Sequence, residues 1–230
     1  MLYITPRKQL SWNVENDLRI QIDNSRTYWK DEDIILITNF PYEYDGKKAM
    51  VVNGDLYCKH HDKASKVNVF LDLLNRGILK ELTWFHDLDA FQMEPLDDLK
   101  LEKDIGFTDY GWNRKWNTGS IFFKPTNTTY EVFKRMRDAV YYYETDEERA
   151  FMKLTETDVD GINSMYQRLN ITYNFGMRRV AMNIANAAMP VKVVHFHPHK
   201  KGLIDKLSPV LTDKLVNLIY KHYGKEYFDE

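Results

Sequence analysis

The sequence predicts an α/β fold with a mainly parallel central sheet and helices on both faces. Three observations predict it. Two near-continuous apolar runs, Ile34-Ile35-Leu36-Ile37-Thr38 and Leu82-Thr83-Trp84-Phe85-His86, read as strands buried on both sides. Amphipathic stretches with helical spacing alternate with these runs. An acidic pair, Asp87 and Asp89, stands where the second run ends. Ligands of such sheets bind beyond the carboxyl ends of the strands.

In chain order, Leu2–Thr5 reads as a short buried strand ended by Pro6. Asn13–Trp29 is amphipathic through Val14, Leu18, Ile22 and Tyr28. Residues 39–47, with Pro41 and Asp45-Gly46, form a turn-rich segment. Asp62–Arg76 is predicted as a helix capped by Asp62, carrying the stripe Val67, Phe70, Leu71 and Leu74, and stopped by Gly77. Lys115–Lys124 is a strand with Asn117-Thr118-Gly119 inside it. Thr129–Tyr143 is a helix, Glu144–Glu148 a polar turn before a further helical stretch, and Ile162–Leu169 helical again. Val191–Phe196 is a strand. Pro209–Tyr223 closes as an amphipathic helix through Val210, Leu211, Leu215, Leu218 and Ile219. With no internal repeat or linker, one domain is expected, with residues 203–230 as a helical extension packed on residues 1–202.

The 230 residues hold 32 basic and 34 acidic side chains, so no global field favours nucleic acid or an anionic membrane. A single cysteine, Cys58, rules out an intrachain disulfide and fits a reducing compartment. No run approaches the ~18 apolar residues of a membrane span, and the first residues lack signal-peptide architecture. The expected location is the cytoplasm. The 15 tyrosines and 5 tryptophans suit a recognition surface or a tyrosine-rich exterior without special role.

Four constellations carry chemistry. Asp87-Leu88-Asp89 supports two readings, a solvated acidic turn or a pair of oxygen ligands for a hard divalent cation. His195, His197 and His199 alternate before Lys200 and Lys201, which fits an exposed basic loop or a metal ligand followed by phosphate-binding charge. Asn117-Thr118-Gly119 fits a β-bulge or a bare stretch of strand where a ligand approaches the backbone. In Asp158-Val159-Asp160-Gly161-Ile162-Asn163, either acid can cap the following helix.

The order of these motifs resembles that of retaining GT-A glycosyltransferases, in particular the glycogenin and bacterial galactosyltransferase group. The resemblance spans residues 1–202: strand, D-x-D, N-T-G, D-x-D-x-I-N, then a strand ending in His-Phe with lysines after it. It implies a Rossmann-like nucleotide-diphospho-sugar transferase fold and transfer of a sugar from a nucleotide diphosphate, a UDP-sugar foremost, to an acceptor hydroxyl. It implies a cation, Mn²⁺ or Mg²⁺, on Asp87, Asp89 and His195. It implies donor contacts from Thr5, Pro6, Arg7, Lys66, His86, Asp87, Leu88, Gly119, Lys200 and Lys201, with Asn117 and Asp158 beside the reacting carbon. Val159 stands where the family has glutamine, and Pro198 where it has glycine. Trp112 and Trp116, beside Arg114 and Lys115, are candidates for the acceptor site.

Two other classes fit less of the chain. A nucleotidyltransferase would carry a glycine-rich loop where Thr5-Pro6-Arg7-Lys8-Gln9 stands. A non-catalytic carbohydrate-binding module would use the tryptophans alone. Within the transferase reading, a modified DNA base is an alternative acceptor, met by Arg114, Lys115, Lys200 and Lys201.

Overall fold

A computed structural model describes residues 1–113 and 115–229. The chain runs through β1 (Leu2–Tyr3), α1 (Trp12–Ser25), β2 (Ile37–Thr38), β3 (Glu43–Tyr44), β4 (Lys47–Lys48), β5 (Met50–Val51) and α2 (Ser65–Asn75). It continues through β6 (Thr83–His86), β7 (Ala90–Gln92), β8 (Ile105–Asp109), β9 (Trp116–Phe123), α3 (Asn127–Tyr143) and α4 (Glu147–Glu156). It ends with β10 (Gln167–Leu169), β11 (Phe175–Gly176), α5 (Val180–Asn186), β12 (Val193–His195), α6 (Leu203–Leu207), α7 (Asp213–Tyr223) and α8 (Glu226–Asp229).

The strands form three small sheets and one hairpin, in the orders β1-β2-β5, β10-β8-β9-β6, β11-β12-β7 and β3-β4. Pairs β1–β2, β2–β5, β8–β10 and β11–β12 are parallel. Strand β9 runs antiparallel between β6 and β8, and β7 runs antiparallel to β12. All eight residues of β9 are buried. One core lies between this strand and α2, α3 and α4, centred on Phe70, Phe107, Phe123, Phe133 and Phe151. A second gathers Phe91, Phe175, Val194 and Phe196 under α6 and α7, with Ile20 of α1. No helix among the described residues is long and apolar enough to cross a membrane.

Local chemistry explains where the elements begin and where expectation fails. Ser11, Thr126, Asp146 and Thr212 each accept a hydrogen bond from a first-turn N–H of α1, α3, α4 and α7. The final helix therefore starts at Asp213 rather than Pro209. Asp62 does not cap α2. It opens a 3-10 turn, and its carboxylate accepts from the Tyr57 hydroxyl. The helix expected over Ile162–Leu169 is instead a 3-10 segment, Val159–Ser164, followed by β10. Asp158, Asp160 and Gly161 all adopt positive φ, which an α-helix cannot continue through. Gln167–Leu169 then pairs with β8.

The acidic pair lies at the crossover between two sheets. At the end of β6, Asp87 N–H donates to Gly119 O of β9 at 2.8 Å. The chain turns there, Ala90 N–H reaching Asp87 O at 3.2 Å, and enters β7 in the other sheet. Because β7 pairs with β12 in the register Ala90↔His195, the imidazole of residue 195 arrives beside Asp89. Phe196 N–H fixes that approach by donating to Asp89 O at 2.8 Å.

Candidate active site

Asp87, Asp89 and His195 each offer a ligand atom within 4.8 Å of the others. His195 Nε2 lies 3.1 Å from Asp89 Oδ1, and His197 Nδ1 lies 2.8 Å from Asp89 Oδ2. The tautomer of His195 follows from its other side. Asn174 uses its Nδ2 on Thr108 Oγ1 and Asn117 O, so its Oδ1 is the atom 3.2 Å from His195 Nδ1. Nδ1 must therefore carry a proton, and the Nε2 lone pair of the neutral ring points at a carboxylate oxygen. That juxtaposition is repulsive unless the ring is protonated or a cation lies between the two. A hard divalent ion fits this donor set of two carboxylates and one imidazole. Burial opposes charge on His195, but the Asp89 carboxylate outweighs it and raises the ring above its ordinary pKa. Burial likewise opposes ionisation of Asp89, while His195 and His197 hold its carboxyl well below the usual range.

Gly119 makes room for this ring. A Cβ there would stand 2.1 Å from His195 Cε1 and 2.4 Å from Nδ1. The bare strand expected to receive a sugar instead receives an imidazole, which corrects the donor role of Gly119.

Lys66, buried on α2, holds the other side of the acid pair. Its Nζ lies 3.0 Å from both Asp87 Oδ1 and Glu147 Oε1, and 3.3 Å from Thr118 O. Burial penalises the ammonium, yet the two carboxylates raise its pKa above the ordinary value. Glu147 is in turn held ionised against burial by Lys66, and accepts from Thr118 Oγ1 at 2.8 Å. The next residue, Glu148, accepts from Tyr110 OH at 2.9 Å and from Thr118 N–H at 3.0 Å. Burial pushes its carboxyl above the ordinary value despite these bonds. Both glutamates belong to the first turn of α4, where backbone N–H groups favour negative charge.

Asp87, Asp89, His195, His197, Lys66, Glu147, Glu148 and Tyr110 line one cavity of about 570 Å³, whose lining also includes Leu2–Thr5 of the β1 end, Trp112 and Arg178. Thr5 is fixed by Asn39, which exchanges two hydrogen bonds with its backbone. A third histidine, His199, approaches Asp17 of α1 at 3.2 Å. Tyr223 OH donates to the other Asp17 oxygen at 2.7 Å, and Tyr227 OH donates to His199 O at 3.1 Å.

Of the residues expected at the site, Asp87, Leu88, Asp89, His195, Lys66, Thr5, Asn117 and Trp112 line the cavity. Others do not. Asp158 is exposed and accepts from Asn163 N–H, just beyond the C-terminal end of α4. The rest of the ten-residue helix, at ~1.5 Å per residue, separates that end from the glutamates at its start. His86 turns away, bonding Gln21 Nε2 at 2.8 Å and packing on Trp84, and burial holds it well below its ordinary pKa. Trp116 is buried in the core, its indole N–H donating to Thr155 Oγ1 at 2.8 Å. Pro6, Arg7, Lys200 and Lys201 are exposed and outside the cavity lining, with Lys201 Nζ 5.7 Å from the Tyr227 ring. Arg114, expected in a basic face, lies outside the described residues. Glu147, Glu148, Tyr110 and Arg178 were not anticipated. The acid pair heading the amphipathic stretch Ala150, Phe151, Leu154 is the signal that could have found the glutamates.

A sequence model of the nucleotide-diphospho-sugar transferase family matches residues 58–208. No curated protein matches the chain in sequence. Three solved structures are similar to it. A glycosyltransferase involved in the glycosylation of the major capsid of PBCV-1 is 11% identical with TM-score 0.54, over 91% of this chain and 97% of that one. Apo GlyE of Streptococcus pneumoniae TIGR4 is 11% identical with TM-score 0.59, over 99% of this chain, which spans 63% of GlyE. An active-site mutant of LgtC is 11% identical with TM-score 0.56, over 94% of this chain and 99% of that one. At this identity the likeness is one of fold.

Proposed function

The chain belongs to the nucleotide-diphospho-sugar transferase family, and from that premise we propose that it is a metal-dependent, retaining GT-A glycosyltransferase using a UDP-sugar in the cytoplasm. The observation that carries metal dependence is the convergence of Asp87, Asp89 and His195 from separate chain segments. These residues would hold Mn²⁺ or Mg²⁺, which when bound offsets the charge of the departing diphosphate.

The chain's own groups do the rest. Asn174 holds His195 with its Nε2 lone pair facing the acids. Lys66 pairs with Asp87, keeps Glu147 ionised and adds positive charge beside the leaving group. Thr5 and Tyr3, at the carboxyl end of β1, line the cavity where the base would lie. Asn117 keeps its expected place beside the reacting carbon, and Glu148 takes the place expected of Asp158. Glu148 presents a carboxylate to the positive charge that develops as the anomeric carbon loses its bond to the diphosphate oxygen. The acceptor oxygen then bonds to that carbon, and its proton leaves with the diphosphate.

A panel of nucleotide sugars with Mn²⁺, scored by thermal shift and release of nucleoside diphosphate, tests the reading. Asp89→Ala is expected to abolish both metal binding and turnover. Wild-type turnover by that variant would end the metal-dependent mechanism. The anomeric configuration of the product, read by NMR, decides retention.

A further inference from the structure

Asn183 of α5 is fully buried, and its neighbours fix its side-chain amide. Nδ2 donates to Gly176 O at 3.1 Å and to Arg178 O at 2.8 Å. A flipped amide would lose both bonds, so Oδ1 is the atom left over. It has no hydrogen-bond partner among the described residues, and Asn183 lines the catalytic cavity. The indole N–H of Trp112, on the same wall, is also buried without a partner. Gly111 permits this arrangement. It has φ +72°, and a Cβ there would meet Ile171 Cδ1 at 2.1 Å and Asn183 Oδ1 at 3.0 Å. One orphaned donor and one orphaned acceptor, both costly to leave unmet, thus belong to residues of the cavity lining.

Arg178 supplies the third element. It is exposed, lines the same cavity, and has no acidic partner among the described residues. We propose that Trp112, Asn183 and Arg178 form an acceptor subsite for a sugar bearing an anionic group, a carboxylate or a phosphate. This rests on the reading of the cavity as a sugar-transfer site and names its acceptor class. A sugar hydroxyl both donates and accepts, which matches Asn183 Oδ1 and Trp112 Nε1. The indole offers an apolar face to a sugar ring. The guanidinium fork matches the geometry of a carboxylate or phosphate. The donor's phosphates have separate partners in Lys66 and in the cation that Asp87, Asp89 and His195 would hold. Arg178 instead belongs to the 176–178 loop that Asn183 secures.

The test compares p-nitrophenyl glucoside with the matching glucuronide and 6-phosphate as acceptors. Transfer is read as nucleoside diphosphate release, and binding without turnover by saturation-transfer NMR. Wild type should favour at least one anionic acceptor by about 10- to 100-fold in kcat/KM, and the favoured one separates carboxylate from phosphate. Arg178→Gln should bring the ratio close to one, while Asn183→Ala should weaken neutral and anionic acceptors alike. The proposal is overturned if wild type shows no anionic preference, or if Arg178→Gln keeps it. It is also overturned if that variant only raises KM for the nucleotide sugar, since Arg178 would then serve the donor. If no nucleotide sugar turns over at all, the transferase reading fails first. The NMR arm still decides the subsite, since Arg178→Gln must weaken binding of the anionic glycosides alone.

Discussion

Replacing Gly119 with alanine adds one methyl group, yet it should disable the metal site proposed at Asp87, Asp89 and His195. The added Cβ would stand 2.1 Å from His195 Cε1, against an ordinary contact of at least 3.4 Å, so the ring must retreat by about 1.3 Å. It cannot do so freely, because Asn174 and Asp89 hold its two nitrogens. Overpacking of this kind costs about 1–3 kcal/mol of stability, and displacing a ligand's supports typically costs ~10–100-fold in metal affinity. The assay is a Mn²⁺ titration of wild type and Gly119→Ala by electron paramagnetic resonance, beside urea unfolding of the metal-free proteins. The double variant Gly119→Ala/His195→Ala separates the two effects. It should recover stability by removing the clash but not metal affinity, a non-additive result. Wild-type Mn²⁺ affinity in Gly119→Ala would refute both the steric argument and the ligand role of His195.

Glu148→Gln should lower kcat by about 10²-fold or more, the scale of losing one group that meets developing charge. In the proposed mechanism the ionised form of Glu148 is the working one, and burial raises its pKa, so kcat should fall as pH drops through a value above 4.5. That limb should be missing from the Gln variant's pH profile. Asp23 gives a prediction about stability. Burial would raise its carboxyl, but Lys221 and His222, at 2.8 and 2.9 Å, lower it below its ordinary 3.8. The stabilisation is therefore present above pH 3.8 and is lost as pH falls through the lower folded value. Asp23→Asn should cost about 1–3 kcal/mol at neutral pH and flatten the melting-temperature decline below about pH 4.

The acid pair was legible in the sequence because an apolar strand ran straight into it. His195 was legible because it closes a strand whose apolar run, Val193-Val194, betrays burial. Glu147 and Glu148 were not, since charged residues before a helix read as a solvated turn. Only Lys66, on a different helix, makes Glu147 a buried partner. The purpose of Gly119 was equally hidden, because it depends on a ring supplied from the far end of the chain. Trp112 and Trp116 look equivalent in sequence, but strand β9 begins at the second and carries only that one into the core. Asp158 misled because its motif suits a helix, while the backbone there takes left-handed conformations.

The hydroxyl contacts from Tyr223 and Tyr227 to Asp17 and His199 also bear on how the enzyme is made. A ribosome delivers the chain from its amino end, so Asp87, Asp89 and even His195 emerge before either tyrosine. The histidine rim of the pocket can be latched only after residue 227 has cleared the exit tunnel. In the nascent polypeptide the acid pair and His195 should therefore be in place before the rim around His199 is secured.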